Sequence, residues 1–320
     1  MNYSNFTSHS DNSLGGEFFT QLFLFATGVC VLAVNLMLCY VILKSPNLHK
    51  REYVFPCCLS IADAVYGLTL MNTGGHRAYL VFTRRYLEMV SPTDCALTPF
   101  VLLIFLSISM QALINLAQSI DRFTACYNVH LYISVKIGVL IGSAVAAFIV
   151  SAVATTCMLL STSMVPHKVS KFCFTYSIVP PLFNDIFFWG QLGAILLSII
   201  IYFGALAAMY TGANAATANL FQASRERQKK VTMMLFYAVI SDFICYFTPN
   251  FIFYFMPNFQ LSSEAQAIII NLLTSAINAN VMVNPIIYFR KNIDVRNAML
   301  ARLPFLKSLI FLSSSQVESL

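Results

Sequence analysis

Residues 278–292 read NANVMVNPIIYFRKN, an Asn-Pro pair near the end of an apolar run that stops at Arg290 and Lys291. A proline inside a helix removes a backbone donor and crowds the preceding turn, and a buried asparagine carries an amide that needs partners. What such a stretch builds depends on the solvent around it. Of 320 residues, 58% are hydrophobic and only 10% are charged, against about a quarter charged in an ordinary soluble domain. The expected solvent is a bilayer.

A hydrocarbon core about 30 Å thick takes about 20 apolar residues per helix. Runs of that kind recur at 18–43, 54–74, 96–120, 134–160, 186–210, 231–256 and 265–288, seven in all. They are continuous rather than alternating, and longer than the about 10 residues of a barrel strand. The expected fold class is an all-α membrane protein. It has an extracellular segment over 1–17, a seven-helix transmembrane bundle over 18–288, and an amphipathic helix with a cytoplasmic tail over 289–320. In that last part Phe289, Ile293, Ala298 and Leu300 fall near one side, with Arg290, Arg296 and Arg302 interspersed. This is the pattern of a helix lying along the inner membrane surface against lipid.

The basic residues set the orientation. With the amino terminus outside, Lys44, Lys50, Arg51, Arg122, Lys136, Arg225, Arg227, Lys229, Lys230, Arg290, Lys291, Arg296, Arg302 and Lys307 fall on the cytoplasmic side. Only Arg77, Arg84, Arg85, Lys168 and Lys171 fall outside, which is the positive-inside bias. The sequons at Asn2 and Asn5 lie in the segment assigned to the outside, where glycosylation occurs. No Lys or Arg precedes Lys44, so the first helix is expected to act as its own insertion signal. The net charge of +6 thus reports topology, and no folded basic surface supports nucleic-acid binding. Of nine cysteines, only Cys95 and Cys173 fall outside. In that oxidising compartment they are expected to form a disulfide between the start of helix 3 and the loop at 161–183.

Polar groups in hydrocarbon are expensive and normally face the bundle interior. They are Asn35 in helix 1, Asp63 in helix 2, Gln111 and Asn115 in helix 3, and Asn271, Asn278, Asn280 and Asn284 in helix 7. As plain interhelical glue each amide is worth about 1 kcal/mol or less. Asp63 reads as the one acid plainly within the membrane; a lone buried carboxylate must be protonated, paired or bound to a cation. Helix 3 ends in SIDRFTACY, and from Cys95 to Arg122 is 27 residues, about 40 Å of helix. That spacing puts Cys95 at the outer end and Asp121-Arg122 at the inner mouth. In helix 6, DFICYFTPNF places Pro249 where it bends or loosens the outer half.

In order, spacing and depth, Asn35, Leu59 to Asp63, Cys95, Asp121-Arg122-Phe123, Pro249 after aromatics, and Asn284-Pro285-Ile286-Ile287-Tyr288 resemble the rhodopsin-like (class A) G-protein-coupled receptors. The resemblance implies a plasma-membrane receptor, not an enzyme. It would bind a small-molecule or peptide ligand among the outer helix ends and activate a heterotrimeric G protein at the inner face. It implies switch roles for Asp121, Arg122, Phe123, Phe247, Pro249, Asn284, Pro285 and Tyr288, and a ligand pocket drawing on Ile104, Trp189, Tyr246, Phe247, Asn250 and Asn278. It also implies a sodium ion held by Asp63, Ser107, Asn280 and Asn284, although the bulk of Gln111, where the family commonly has serine, stands against the ion. No other cofactor is expected. Departures include the lone tryptophan in helix 5, Phe247 where tryptophan is usual, and Lys229 where some members carry an acid, with Glu226 a turn away. Such divergence, with short loops, is most similar to the nematode serpentine chemoreceptors. The 265–288 run has no lysine for an opsin chromophore, and Ile104 stands where amine receptors have a carboxylate. A seven-helix transporter is the alternative; a zinc hydrolase is disfavoured because His9, His49, His76, His130 and His167 all read as loop or tail.

Overall fold

The computed structural model describes residues 11–211, 222–259 and 261–303. Among them, seven helices are long and apolar enough to cross a membrane. They are helix 1 (Asp11–Lys44), helix 2 (Val54–Phe82), helix 3 (Pro99–Tyr127), helix 4 (Ile137–Ser161), helix 5 (Pro181–Thr211), helix 6 and helix 7 (Ser263–Lys291). Helix 6 runs through three segments, Gln222–Ser241, Asp242–Phe247 and Thr248–Phe255. A short helix 8 (Ile293–Arg302) follows.

Helix 3 is the central strut, packed against helices 2, 4, 5 and 6, while helix 7 closes the bundle between helices 6 and 1. Helix 4 turns Val139, Ile141, Val145, Ile149 and Val153 outward, an apolar surface that only hydrocarbon favours. Helices 1 and 2 approach closely at Gly28 and Gly67. A methyl group on Gly28 would sit 2.4 Å from the backbone nitrogen of Met71, and one on Gly67 2.6 Å from that of Leu32. Small residues here let two backbones meet, the usual device of membrane helix pairs.

Several boundaries differ from the sequence reading. Helix 1 begins at Asp11 and helix 2 continues to Phe82, so 72–82 is helix rather than loop and His76 lies inside a span. Gly74, which looks loop-like in sequence, packs against helix 1, where a Cβ would meet the backbone nitrogen of Phe25 at 2.5 Å. Cys95 does not begin helix 3. It sits in a separate turn of helix, Pro92–Ala96, capped by Ser91, and helix 3 starts after Thr98 with Pro99 at its first turn. Asn271 is exposed rather than inward-facing. In helix 8 it is Val295 and Met299 that pack into the bundle, and Ile293 stands exposed. The Asn292 side chain caps that helix by accepting from Val295 N.

The disulfide end of the bundle carries a small two-stranded sheet. Strands β1 (Met89–Val90) and β2 (Val169–Ser170) pair antiparallel, Met89 opposite Ser170. Beside them the structure joins Cys95 to Cys173, and Arg77 of helix 2 donates to Phe172 O at 3.0 Å and lies over the Phe174 ring. Asn2, Asn5 and residues 304–320 lie outside the described residues, as do the side chains of Arg225 to Lys230.

Candidate functional site

Gln111, Asn115, Gln118 and Arg122 recur along helix 3 at steps of four, three and four, so the helical period brings them to one face. Each meets a buried polar partner on another element, which makes that face a polar seam through the bundle. At its end Arg122 is only 1% exposed. Its guanidinium donates to Asp121 Oδ2, and Nη2 also donates to Tyr132 Oη at 3.0 Å. Tyr132 is carried by a short helix, Val129–Ser134, that Asn128 caps. Arg51, just before helix 2, donates to Asp121 Oδ1 at 2.7 Å and to the carbonyls of Tyr132 and Val135. Its guanidinium lies 3.8 Å from the centre of the Tyr132 ring. One carboxylate is thus shared by two arginines, and Tyr132 lies against both as a lid. A fully buried cation is tolerable only when paired and hydrogen-bonded in this way. Phe123 faces elsewhere, stacked on Tyr127 and leaning on Gly204 of helix 5.

One step along the seam, Gln118 Nε2 donates to Tyr202 Oη of helix 5 at 3.2 Å. Tyr288 of helix 7 is buried, and its hydroxyl faces Gln118. The Asn-Pro pair lies just beyond. Pro285 has no N–H, so the carbonyl of Val281, four residues back, loses its helical donor. Asn35 of helix 1 supplies one: its Nδ2 donates to Val281 O at 3.3 Å and to Val31 O at 3.0 Å. The proline weakens helix 7 internally while an amide from helix 1 keeps the freed carbonyl satisfied.

Asp63, Gln111, Asn115, Asp242, Tyr246, Asn280 and Asn284 line a cavity of about 20 Å³. Gln111 Nε2 donates to Asp63 Oδ1 at 2.8 Å. Asp242 accepts from Asn115 Nδ2 at 3.1 Å and from Asn280 Nδ2 at 2.7 Å, and Asn280 Oδ1 accepts from Ser241 Oγ at 2.9 Å. Asp63 Oδ2 and Asn284 Oδ1 are buried without a partner among the described residues. These residues do not fit the sodium ion that Asp63, Ser107, Asn280 and Asn284 led us to expect. Ser107 Oγ instead donates to Ile104 O within its own helix, Asn280 is engaged by helix 6, and the Gln111 amide already sits on Asp63.

The residues expected in a ligand pocket do not form one group. Asn278 is buried and accepts from Tyr66 Oη at 3.0 Å, and Tyr246 is buried against the polar cavity. Ile104 is half-buried between two apolar clusters. Asn250 Nδ2 donates to Tyr246 O in its own helix, and Phe247 stacks between Phe243 and Phe251. Trp189 departs furthest from expectation. It is 43% exposed on the seam of helices 5 and 6, edge-on to Tyr254.

Sequence reading missed Asp242, Arg51, Tyr132, Gln118 and Tyr202. Asp242 carried the same signal as Asp63, an acid inside an apolar run. The lid has no such signal, because an arginine and a tyrosine in connecting loops are ordinary.

The architecture is that of a seven-helix receptor with a buried arginine at one end of helix 3 and a proline-weakened helix 7 beside it. Residues 34–288 match the 7 transmembrane receptor (rhodopsin family), and the chain belongs to that family. A comparison with curated proteins finds no match.

Proposed function

We propose that the protein is a plasma-membrane receptor, amino terminus outside, that binds a small extracellular molecule or peptide near the disulfide end and activates a heterotrimeric G protein at the Arg122 end. The observation that carries this reading is the state of Arg122: a wholly buried cation, held by Asp121 and covered by Tyr132. A cation so enclosed is a closed gate, and exchange between two packings of the same helices would open it. Pro249 and the Asn284-Pro285 step are where helices 6 and 7 bend most easily. Phe247 lies two residues before Pro249, on its Arg122 side, and Tyr288, buried beside the gate, is close enough to enter the opened cleft. A chemosensory role is part of the proposal and rests on resemblance in the sequence alone.

The test is expression in a heterologous cell with a panel of small molecules and peptides, read as ligand-dependent nucleotide exchange on purified G proteins. Exchange that is lost in Arg122→Ala supports the reading. Ligand-driven substrate flux without exchange would instead identify a transporter.

A further inference from the structure

Helix 6 is the element whose movement the proposed function requires, and Asp242 on it is held at both carboxylate oxygens. One carboxylate oxygen accepts from Asn115 on helix 3, the other from Asn280 on helix 7. The group is 7% exposed. Both partners are themselves anchored. Asn280 Oδ1 accepts from Ser241 Oγ, and the backbone carbonyl of Asn115 accepts from Ser198 Oγ of helix 5 at 3.0 Å. Three helices, 3, 6 and 7, therefore meet at one carboxylate, and helix 5 is tied to it through Asn115.

The backbone explains why the carboxylate points there. Asp242–Phe247 is a π-helical turn, which adds a residue to the turn and changes the rotational register between the parts of the helix on either side. Thr248 Oγ1 donates to Phe243 O, five residues back, at 2.8 Å, which serves the widened turn. Pro249 follows immediately. The carboxylate thus lies on the Arg122 side of the point where helix 6 bends, where it holds the half of the helix that must move.

We propose that Asp242 is the resting-state latch of helix 6, a positioning residue that ties its Arg122-side half to helices 3 and 7. The latch rests on the reading of the protein as a receptor. A charged acceptor with two amide donors forms stronger hydrogen bonds than neutral pairs do, and the low-dielectric interior strengthens them further. Moving helix 6 outward by several Å breaks both bonds at once and leaves a buried carboxylate without partners. The closed state is favoured until ligand binding shifts Asn115 and Asn280 relative to each other.

The test uses the full chain in lipid nanodiscs, with spin labels at Tyr127→Cys and Glu226→Cys in a background that keeps Cys95 and Cys173 and lacks the other cysteines. Ligand-free Asp242→Ala is expected to lengthen the distance between the labels and to raise ligand-free nucleotide exchange about tenfold, a shift of about 1.4 kcal/mol. The paired exchange Asp242→Asn with Asn280→Asp keeps an acceptor opposite each donor, so it should return both readings to the wild-type level. Should Asp242→Ala fail to fold, Asn115→Leu removes one of the two ties and should lengthen the distance part of the way. Wild-type distances in Asp242→Ala, or in Asn115→Leu where that variant is used, would overturn the latch. So would a paired exchange that behaves like Asp242→Ala. The distance needs no G protein. Lengthening without exchange would refute the receptor reading and keep the latch, whereas ligand-driven exchange in the wild type with no lengthening in Asp242→Ala would refute the latch alone.

Discussion

Gln111 reaches Asp63 Oδ1 from helix 3 at 2.8 Å, so replacing its amide with an alkyl group strands a carboxylate oxygen in the membrane interior, at a cost of about 1–3 kcal/mol. Gln111→Leu should therefore lower the thermal midpoint of the purified protein, while the wild type should melt identically in sodium chloride and in choline chloride. A sodium-dependent rise in the wild-type midpoint would show that the Gln111 amide yields to an ion. Asp63 was legible in the sequence because a carboxylate in an apolar run has few ways to exist. Its partner was not, since Gln111 is one of several amides on the inner faces and only packing selects among them. Asp242 was hidden by its neighbourhood: Pro249 dominates the reading of helix 6, and the π turn that aims the carboxylate inward leaves no mark in the hydropathy.

Between elements, two connections outside the spans make testable claims. The short helix Val129–Ser134 is pinned by Arg51, through Asp121 and the carbonyls of Tyr132 and Val135. Arg51→Ala should free this lid and raise ligand-independent nucleotide exchange several-fold, without changing ligand affinity at the disulfide end by more than that same coupling factor. At the other end Glu88 bridges Arg85 at 2.6 Å and Lys171 across the two-stranded sheet. These partners, Arg85 first, hold its carboxyl down at about 2 from an ordinary 4.5. A lowered folded value means stabilisation present above pH 4.5 and lost as pH falls towards 2. Amide exchange at Lys171, whose N–H bonds to Glu88 O, should be flat above that window once corrected for its intrinsic rate, and should quicken within it. Glu88→Gln should abolish the pH dependence. Element ends were the least legible part of the fold. Helix 2 carries Thr73, Gly74, Gly75, His76 and Arg77, which read as a loop, yet the small residues are what let helix 1 lie against it.

For the molecule as a whole, the seven spans were readable because hydrocarbon demands long apolar runs and forbids alternatives; the cross-links between them depend on side-chain geometry that composition does not encode. Orientation is testable directly. Protein expressed in animal cells should lose apparent mass on treatment with an N-glycosidase, and Asn2→Gln with Asn5→Gln should remove that difference. Full-length wild type that reaches the surface unglycosylated, with its amino terminus inaccessible to antibody on intact cells, would reverse the topology. The contact between Asn35 and Val281 has a further consequence, for biogenesis. It joins residues 246 apart in sequence, and a ribosome adding about 5–20 residues per second needs roughly 12–50 s to make the second after the first. During that wait the Asn35 amide sits in lipid with its eventual acceptor unsynthesised. The local carbonyl of Val31, which the amide reaches at 3.0 Å, lies in the same helix, so the nascent first helix carries one partner for the amide before the last helix supplies the other.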